Sequence, residues 1–210
     1  MFESEIGIPE NLHDKAYEPV VKLSNFAKNF AIKILEPTTN AISPSASQAI
    51  DDIITKYAIN TTLLEVEEGE FFGAAPMART DYRSQLIDLT VKALLYSVPG
   101  RCNIGYLNNI RDHNDTLWFP TLQSRLEFPK YDVVLADEVQ DFNACQVYML
   151  TKLSEAGARI VAVGDPNQSV YAFRGADSQS FNRVADVVQS GANGGIVHSL
   201  PKNYRRNRRT

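Results

Sequence analysis

Cysteine is scarce in this sequence: Cys102 and Cys145 are the only two. They are too few for a disulfide scaffold and have no metal-ligand spacing, which points to a reducing, cytoplasmic setting. No run of about 18 apolar residues occurs, and the N-terminus MFESEIGIPE lacks the basic and apolar regions of a signal peptide, so neither a membrane partner nor secretion is indicated. A basic excess is missing as well. The net charge is −4, so no global field announces a polyanionic partner. Internal repeats and low-complexity tracts are absent too. What remains is a chain of 210 residues with 44% hydrophobic content, enough for one large domain or a core with a smaller unit attached.

The charge is unevenly placed. Lys202, Arg205, Arg206, Arg208 and Arg209 crowd the C-terminal end, a pattern that by itself describes a solvated tail. The first hundred residues read as mostly helical. Val20, Leu23, Ala27, Phe30 and Ile34 recur at helical spacing across 17–35, with Pro19 expected in the first turn and Pro37 as the stop. Ser45-Ala46-Ser47-Gln48 has the pattern of a capping box before a stripe of Ile50, Ile53, Ile54 and Tyr57. Residues 60–79 show an acidic turn and Phe71-Phe72 but no clear period. A further helix is expected after Thr80, facing inward through Tyr82, Leu86, Leu89, Ala93 and Leu94 and closing at Val98-Pro99-Gly100. Trp118, in the transition 102–130, reads as core rather than as a platform for a base.

The most informative stretch is 131–175. Val133-Val134-Leu135-Ala136 reads as a parallel strand buried on both faces, and it ends in Asp137-Glu138. Two carboxylates at the carboxyl end of such a strand suit phosphate chemistry, one holding Mg²⁺ and the other activating water; the same pair can also end a strand before a solvated helix. Asn143 then offers an N-cap with Gln146 three residues on, Val147, Leu150 and Leu153 form an inner face, and Gly157 lies past the end. Ile160-Val161-Ala162-Val163 forms a second run leading into Gly164-Asp165-Pro166-Asn167-Gln168. Strand, helix and strand in this order imply a parallel crossover with both acidic ends on one edge.

Three segments, DEVQD (137–141), GDPNQSVYAFRGAD (164–177) and LPKNYRR (200–206), resemble motifs II, III and IV of the UvrD/Rep-like superfamily 1 DNA helicases. Val139 departs from the usual alanine of the second motif, and Phe173 stands where relatives often carry tryptophan. The resemblance covers about the last 80 residues, with a weaker match around Asp115. It implies an α/β fold: a partial RecA-like parallel sheet of the P-loop NTPase type over 128–210, preceded by a mostly helical accessory subdomain and connection over 1–127. It implies ATP and Mg²⁺ as cofactors, and single-stranded DNA and single/double-strand junctions as partners. Asp137 then corresponds to the metal-binding carboxylate and Glu138 to the residue that activates water. Gln168 corresponds to the γ-phosphate sensor, Tyr204 to the tyrosine that stacks on adenine and Arg205 to the arginine that reaches the γ-phosphate. Tyr171, Phe173 and Arg174 correspond to contacts with single-stranded DNA, and Gln140 and Asp141 to links between motifs.

No GxxxxGK(S/T) loop occurs anywhere in the sequence. The expectation is therefore a fragment: a parent helicase whose phosphate loop and second motor domain lie outside this chain, working 3′ to 5′ in repair, replication or recombination. The 210-residue chain alone should hydrolyse ATP negligibly. Two other readings stay open, a non-catalytic module that binds single-stranded DNA and a part of a helicase-nuclease.

Overall fold

The computed structural model describes residues 10–36, 39, 41–59, 61, 79–101, 112–123, 125–168, 179–191 and 194–201, with backbone alone for 10–15 and 79–82. Four helices come first: α1 (Glu10–Asn29), α2 (Ser45–Lys56), α3 (Arg79–Ser97) and α4 (His113–Leu122). Then follow β1 (Val133–Ala136), α5 (Ala144–Glu155), β2 (Arg159–Ala162) and α6 (Ser180–Ser190). Among the described residues no helix is long and apolar enough to cross a membrane.

The first helix departs from its sequence expectation at both ends. It begins at Glu10, so Pro19 sits in its interior, and it stops at Asn29. The stop has a local cause: Ala31 takes φ 54°, Ile32 N–H donates to the Ala27 carbonyl and Ala31 N–H to that of Lys28, which closes the helix as a Schellman turn. The chain then runs extended, and Leu35 bridges Ile42 antiparallel. The capping box expected at Ser45 does not form. Pro44 occupies the cap position in helical conformation, the Ser45 hydroxyl pairs with that of Ser43, and Gln48 Nε2 donates to Asp52. A helical residue at the cap position aims its own side chain away from the free N–H groups, and Pro44 has no oxygen to offer them. The apolar stripe behind it does hold: Ile50, Ile53 and Ile54 are buried.

The second helix also ends in a Schellman turn, with Ala58 at φ 45° and Ile59 N–H on the Ile54 carbonyl. An alanine in left-handed conformation costs about 1 kcal/mol relative to glycine. Since Ala58 is exposed, Ala58→Gly should raise stability by about that amount, read as an increase in the urea midpoint at unchanged m; an unchanged or lower midpoint would refute it.

Leu23, Phe26, Ala27, Ile34, Ile50, Ile54, Leu86, Leu94 and Trp118 form the helical core. Trp118 is fully buried and its indole donates to the Ile32 carbonyl at 2.9 Å, so it packs as expected from its surroundings. Beside it lies a charged cluster that nothing in the sequence announced. Lys28, 3% exposed, makes ion pairs with Asp112 at 2.6 Å and Asp115 at 2.8 Å, and its ammonium sits 5.8 Å from the Trp118 ring centre. The two aspartates are also the N-cap and third residue of α4 and form its capping box. One buried lysine on α1 thus holds the start of α4.

The two strands pair in parallel, Val133 with Arg159 through Ala136 with Ala162, and α5 makes the crossover. That helix has the expected ends. Asn143 and Gln146 form a reciprocal capping box, and Gly157, at φ 100°, closes a Schellman turn with Ala158 N–H on the Leu153 carbonyl. The strands are not buried on both faces. Val134, Ala136, Ile160 and Ala162 pack with Val147, Leu150 and Val184 of α5 and α6, whereas Val133, Leu135, Val161 and Val163 are exposed, Leu135 by 76%. The helices cover one face only, and among the described residues no second layer lies on the other. The fifth helix belongs to both cores, because Cys145 is buried in the helical cluster while Val147 and Leu150 serve the sheet.

Candidate functional site

Parallel pairing brings the carboxyl ends of β1 and β2 to one edge. Val163 N–H donates to the Ala136 carbonyl at 2.8 Å and Val139 N–H to the Val163 carbonyl at 3.1 Å, so the two following loops are stitched together where they leave the sheet. Glu138 adopts φ 51°, ψ 43° between β1 and a 3-10 turn, Val139–Asp141. A left-handed glutamate is costly by roughly 1–2 kcal/mol, and strain of this kind gathers at functional positions. Its effect is to turn the chain sharply, leaving both Asp137 and Glu138 exposed at the strand end. The Glu138 N–H donates to Asp137 Oδ1 at 2.9 Å.

The loop after β2 is held by its own aspartate. Asp165 Oδ1 accepts from Asn167 N–H at 3.0 Å and Oδ2 accepts from Gln168 Nε2 at 2.7 Å. The Asn167 backbone donor, then the Gln168 amide, hold the Asp165 carboxyl below its ordinary value, so it stays ionised across the neutral range. An aspartate directly before a proline is a turn-starting pattern, the one local signal by which the sequence could have marked this scaffold residue.

The two loops meet at Gln140. It is 3% exposed; its Nε2 donates to Glu138 Oε2 at 2.6 Å, and its Oε1 accepts the Asp165 N–H at 3.0 Å. A Cβ at position 164 would lie 2.7 Å from that Oε1 and 2.9 Å from Val139 Cγ2, so only glycine fits there. Gln140 therefore joins the second motif to the third, as the resemblance implied. Asp141 Oδ1 is buried without a hydrogen-bond partner among the described residues. A further link, missed in the sequence, comes from fully buried Ser180 at the start of α6, whose Oγ donates to the Gln140 carbonyl at 2.7 Å.

Asp137, Glu138 and Gln168 thus lie on one edge, the last two connected through Gln140 and Asp165. Tyr171, Phe173, Arg174, Tyr204 and Arg205 lie outside the described residues. Asp137 suits Mg²⁺, which takes one or two carboxylates and keeps several waters. It is exposed, with one oxygen on the Glu138 N–H and the other without a protein partner among the described residues. No cluster of three or more His, Cys, Asp or Glu forms an all-protein cage among the described residues. Cys145 takes no part in this chemistry: burial pushes its thiol up to about 12, and Sγ donates to the Lys28 carbonyl.

Curated relatives are similar over parts of the chain. The F-box DNA helicase protein 1 of Schizosaccharomyces pombe is 49% identical over 55 residues, 26% of this chain and 6% of that protein. An ATP-dependent helicase/nuclease subunit of Oenococcus oeni is 43% identical over 75 residues, 36% of this chain and 6% of its own length. The ATP-dependent DNA helicase srs2 of S. pombe is 32% identical over 101 residues, 47% of this chain and 11% of its own. The matched segments are therefore a small part of each relative's length. No solved structure matches the chain. The model of the UvrD/REP helicase N-terminal domain matches residues 10–189, which is most of the chain, and the protein belongs to that family.

Proposed function

We propose that the protein supplies part of the first motor domain of an ATP-dependent DNA helicase, which couples ATP hydrolysis to movement along single-stranded DNA and to strand separation, 3′ to 5′. The observation that carries this reading is the hydrogen-bonded series Glu138, Gln140, Asp165, Gln168 across two parallel strand ends. It joins a carboxylate suited to proton transfer with an amide suited to phosphate contact, just before the stretch that contains Tyr171, Phe173 and Arg174.

In this reading residues 1–127 are the accessory subdomain and connection, and 128–210 the later part of a RecA-like sheet. The exposed face of Val133, Leu135, Val161 and Val163 supports an α/β unit in which a second layer covers that side, since parallel strands are ordinarily covered on both sides. Asp137 would hold Mg²⁺, whose charge offsets that developing on the transferred phosphoryl group. Glu138 takes a proton from the attacking water. Gln168 keeps one amide hydrogen beyond that given to Asp165, together with Oε1, to bridge water and a phosphate oxygen. Tyr204 stacks on the base and Arg205 brings a permanent positive charge to the γ-phosphate. Tyr171 and Phe173 stack on bases of single-stranded DNA while Arg174 holds its backbone.

The test compares ATP turnover, with and without oligo-dT, by the full-length protein and by the 210-residue chain, together with unwinding of duplexes bearing a 3′ or a 5′ tail. DNA-stimulated turnover and unwinding from a 3′ tail are expected of the full-length protein, and negligible turnover of the chain without a GxxxxGK loop. Oligo-dT binding without turnover in the full-length protein would overturn the reading in favour of a non-catalytic module. The likeness to a protein named as part of a helicase/nuclease supports one variant of the proposal, in which the parent also cleaves DNA. Mg²⁺-dependent degradation of linear DNA by the full-length protein would distinguish it.

A further inference from the structure

The left-handed bend at Glu138 needs support on both of its sides, because strained backbone persists only where the surrounding structure over-determines it. On the strand side the Val139 N–H is held by the Val163 carbonyl. On the other side the Asp141 N–H donates to the Glu138 carbonyl at 2.9 Å and the Phe142 N–H to the Val139 carbonyl at 3.3 Å. The next residue is Asn143, the N-cap of α5, so the turn runs without a break from Glu138 into the start of the helix. Asn143 is held by more than its cap. Its Oδ1 accepts the Gln146 N–H at 2.9 Å, which fixes the orientation of the amide and leaves Nδ2 to donate to Asn29 Oδ1 at 3.1 Å. The capping box of α5 is complete without Asn29. What the contact adds is a fixed position against a residue 114 places earlier in the chain, at the last residue of α1.

We propose that Asn29, acting through Asn143, is a positioning residue for Glu138: it pins the exit of the turn that aims the Glu138 carboxylate. This inference rests on the functional reading above, in which Glu138 takes a proton from the attacking water, and deepens it. The neighbouring Lys28 strengthens the same anchor, since its carbonyl accepts from Cys145 in the first turn of α5 and its ammonium is held by Asp112 and Asp115. Asn29 touches none of the groups assigned to nucleotide or metal. Its effect on turnover therefore passes through the backbone between 138 and 143 and through Glu138.

The experiment uses the full-length protein with Asn29→Leu, which keeps the approximate volume and removes the acceptor, and Asn143→Ser, which still caps α5 but is too short to reach Asn29. ATP turnover with oligo-dT is measured well below the melting temperature of each variant, so that every molecule is folded. Each substitution should lower kcat roughly 10-fold with KM for ATP little changed, as for a misaimed catalytic group, and the two together should cost no more than either alone. Both are then placed in the Glu138→Gln background and followed by single-turnover hydrolysis. There they should change the remaining rate by less than about 2-fold, because the group they aim is gone. A contact that merely supports the fold would not lose its effect in that background. The same fold loss with and without Glu138, or kcat within about 2-fold of the unmutated value in both single variants, would overturn the inference. Asn143→Ser decides the matter if Asn29→Leu does not fold. Absence of DNA-stimulated turnover in the unmutated protein would defeat the functional reading, and this inference with it.

Discussion

Glu138→Gln in the full-length protein should lower kcat for DNA-stimulated ATP turnover by roughly 10²- to 10⁴-fold, the range for removal of a general base. The substitution is close to isosteric. The new side-chain oxygen can still accept from Gln140, and the left-handed backbone at 138 is no more strained with glutamine than with glutamate. Thermal unfolding and affinity for oligo-dT should therefore match those of the unmutated protein. The loss is specific to proton transfer, since an amide cannot take a proton from water at neutral pH. Turnover within about 3-fold of the unmutated value, checked by steady-state assay at saturating DNA, would remove Glu138 from the role.

The second large effect lies far from the sheet edge. Lys28→Ala should destabilise the protein by about 3–5 kcal/mol, because it leaves the buried Asp115 and its neighbour Asp112 facing each other without a cation. For a domain of this size that corresponds to roughly 6–20 °C in melting temperature. Urea unfolding checks it, and a loss under about 1 kcal/mol would show that the ion pairs do not clamp α1 to α4. The double variant Lys28→Met with Asp115→Asn should recover much of the loss, as replacing a buried pair costs less than breaking one. Acid gives a second readout. Partial burial pushes the Asp112 carboxyl up, but the Lys28 hydrogen bond, the Asp115 N–H, the Lys28 charge and the Asn114 N–H outweigh it and leave the group below its ordinary value of 3.8. A lowered value in the folded state means that its stabilising effect is complete above the unfolded value and fades as pH drops through the folded one. The unmutated protein should thus lose this contribution only in acid below about pH 4, and Lys28→Ala should lack that part of the acid dependence.

The contrast between these two regions explains what was legible in the sequence. The sheet edge is built from contiguous residues: apolar runs set the strands, and Asn143, Gln146 and Gly157 set the ends of α5. Local patterns of that kind can be read residue by residue. The Lys28 cluster joins residues far apart in the chain, 84 positions in the case of Asp112, and a lysine on a helix gives no sign that it will be buried. The first helix misled for a related reason. Its apolar spacing persists to Ile34, yet the helix ends at Asn29, and Ala31 just beyond it takes a conformation more typical of glycine. Ser45 to Gln48 has the residues of a capping box, but Pro44 rather than Ser45 stands at the cap. The exposed strand face could not be foreseen either, since continuous apolar runs do not tell which layer will cover them.

The double membership of α5 has a mechanical consequence. Its first turn is fixed to the end of α1, through Asn143 to Asn29 and Cys145 to the Lys28 carbonyl, while its middle carries the sheet. A displacement of α5 therefore disturbs both cores at once, since the same helix places Cys145 in one and Val147 and Leu150 in the other.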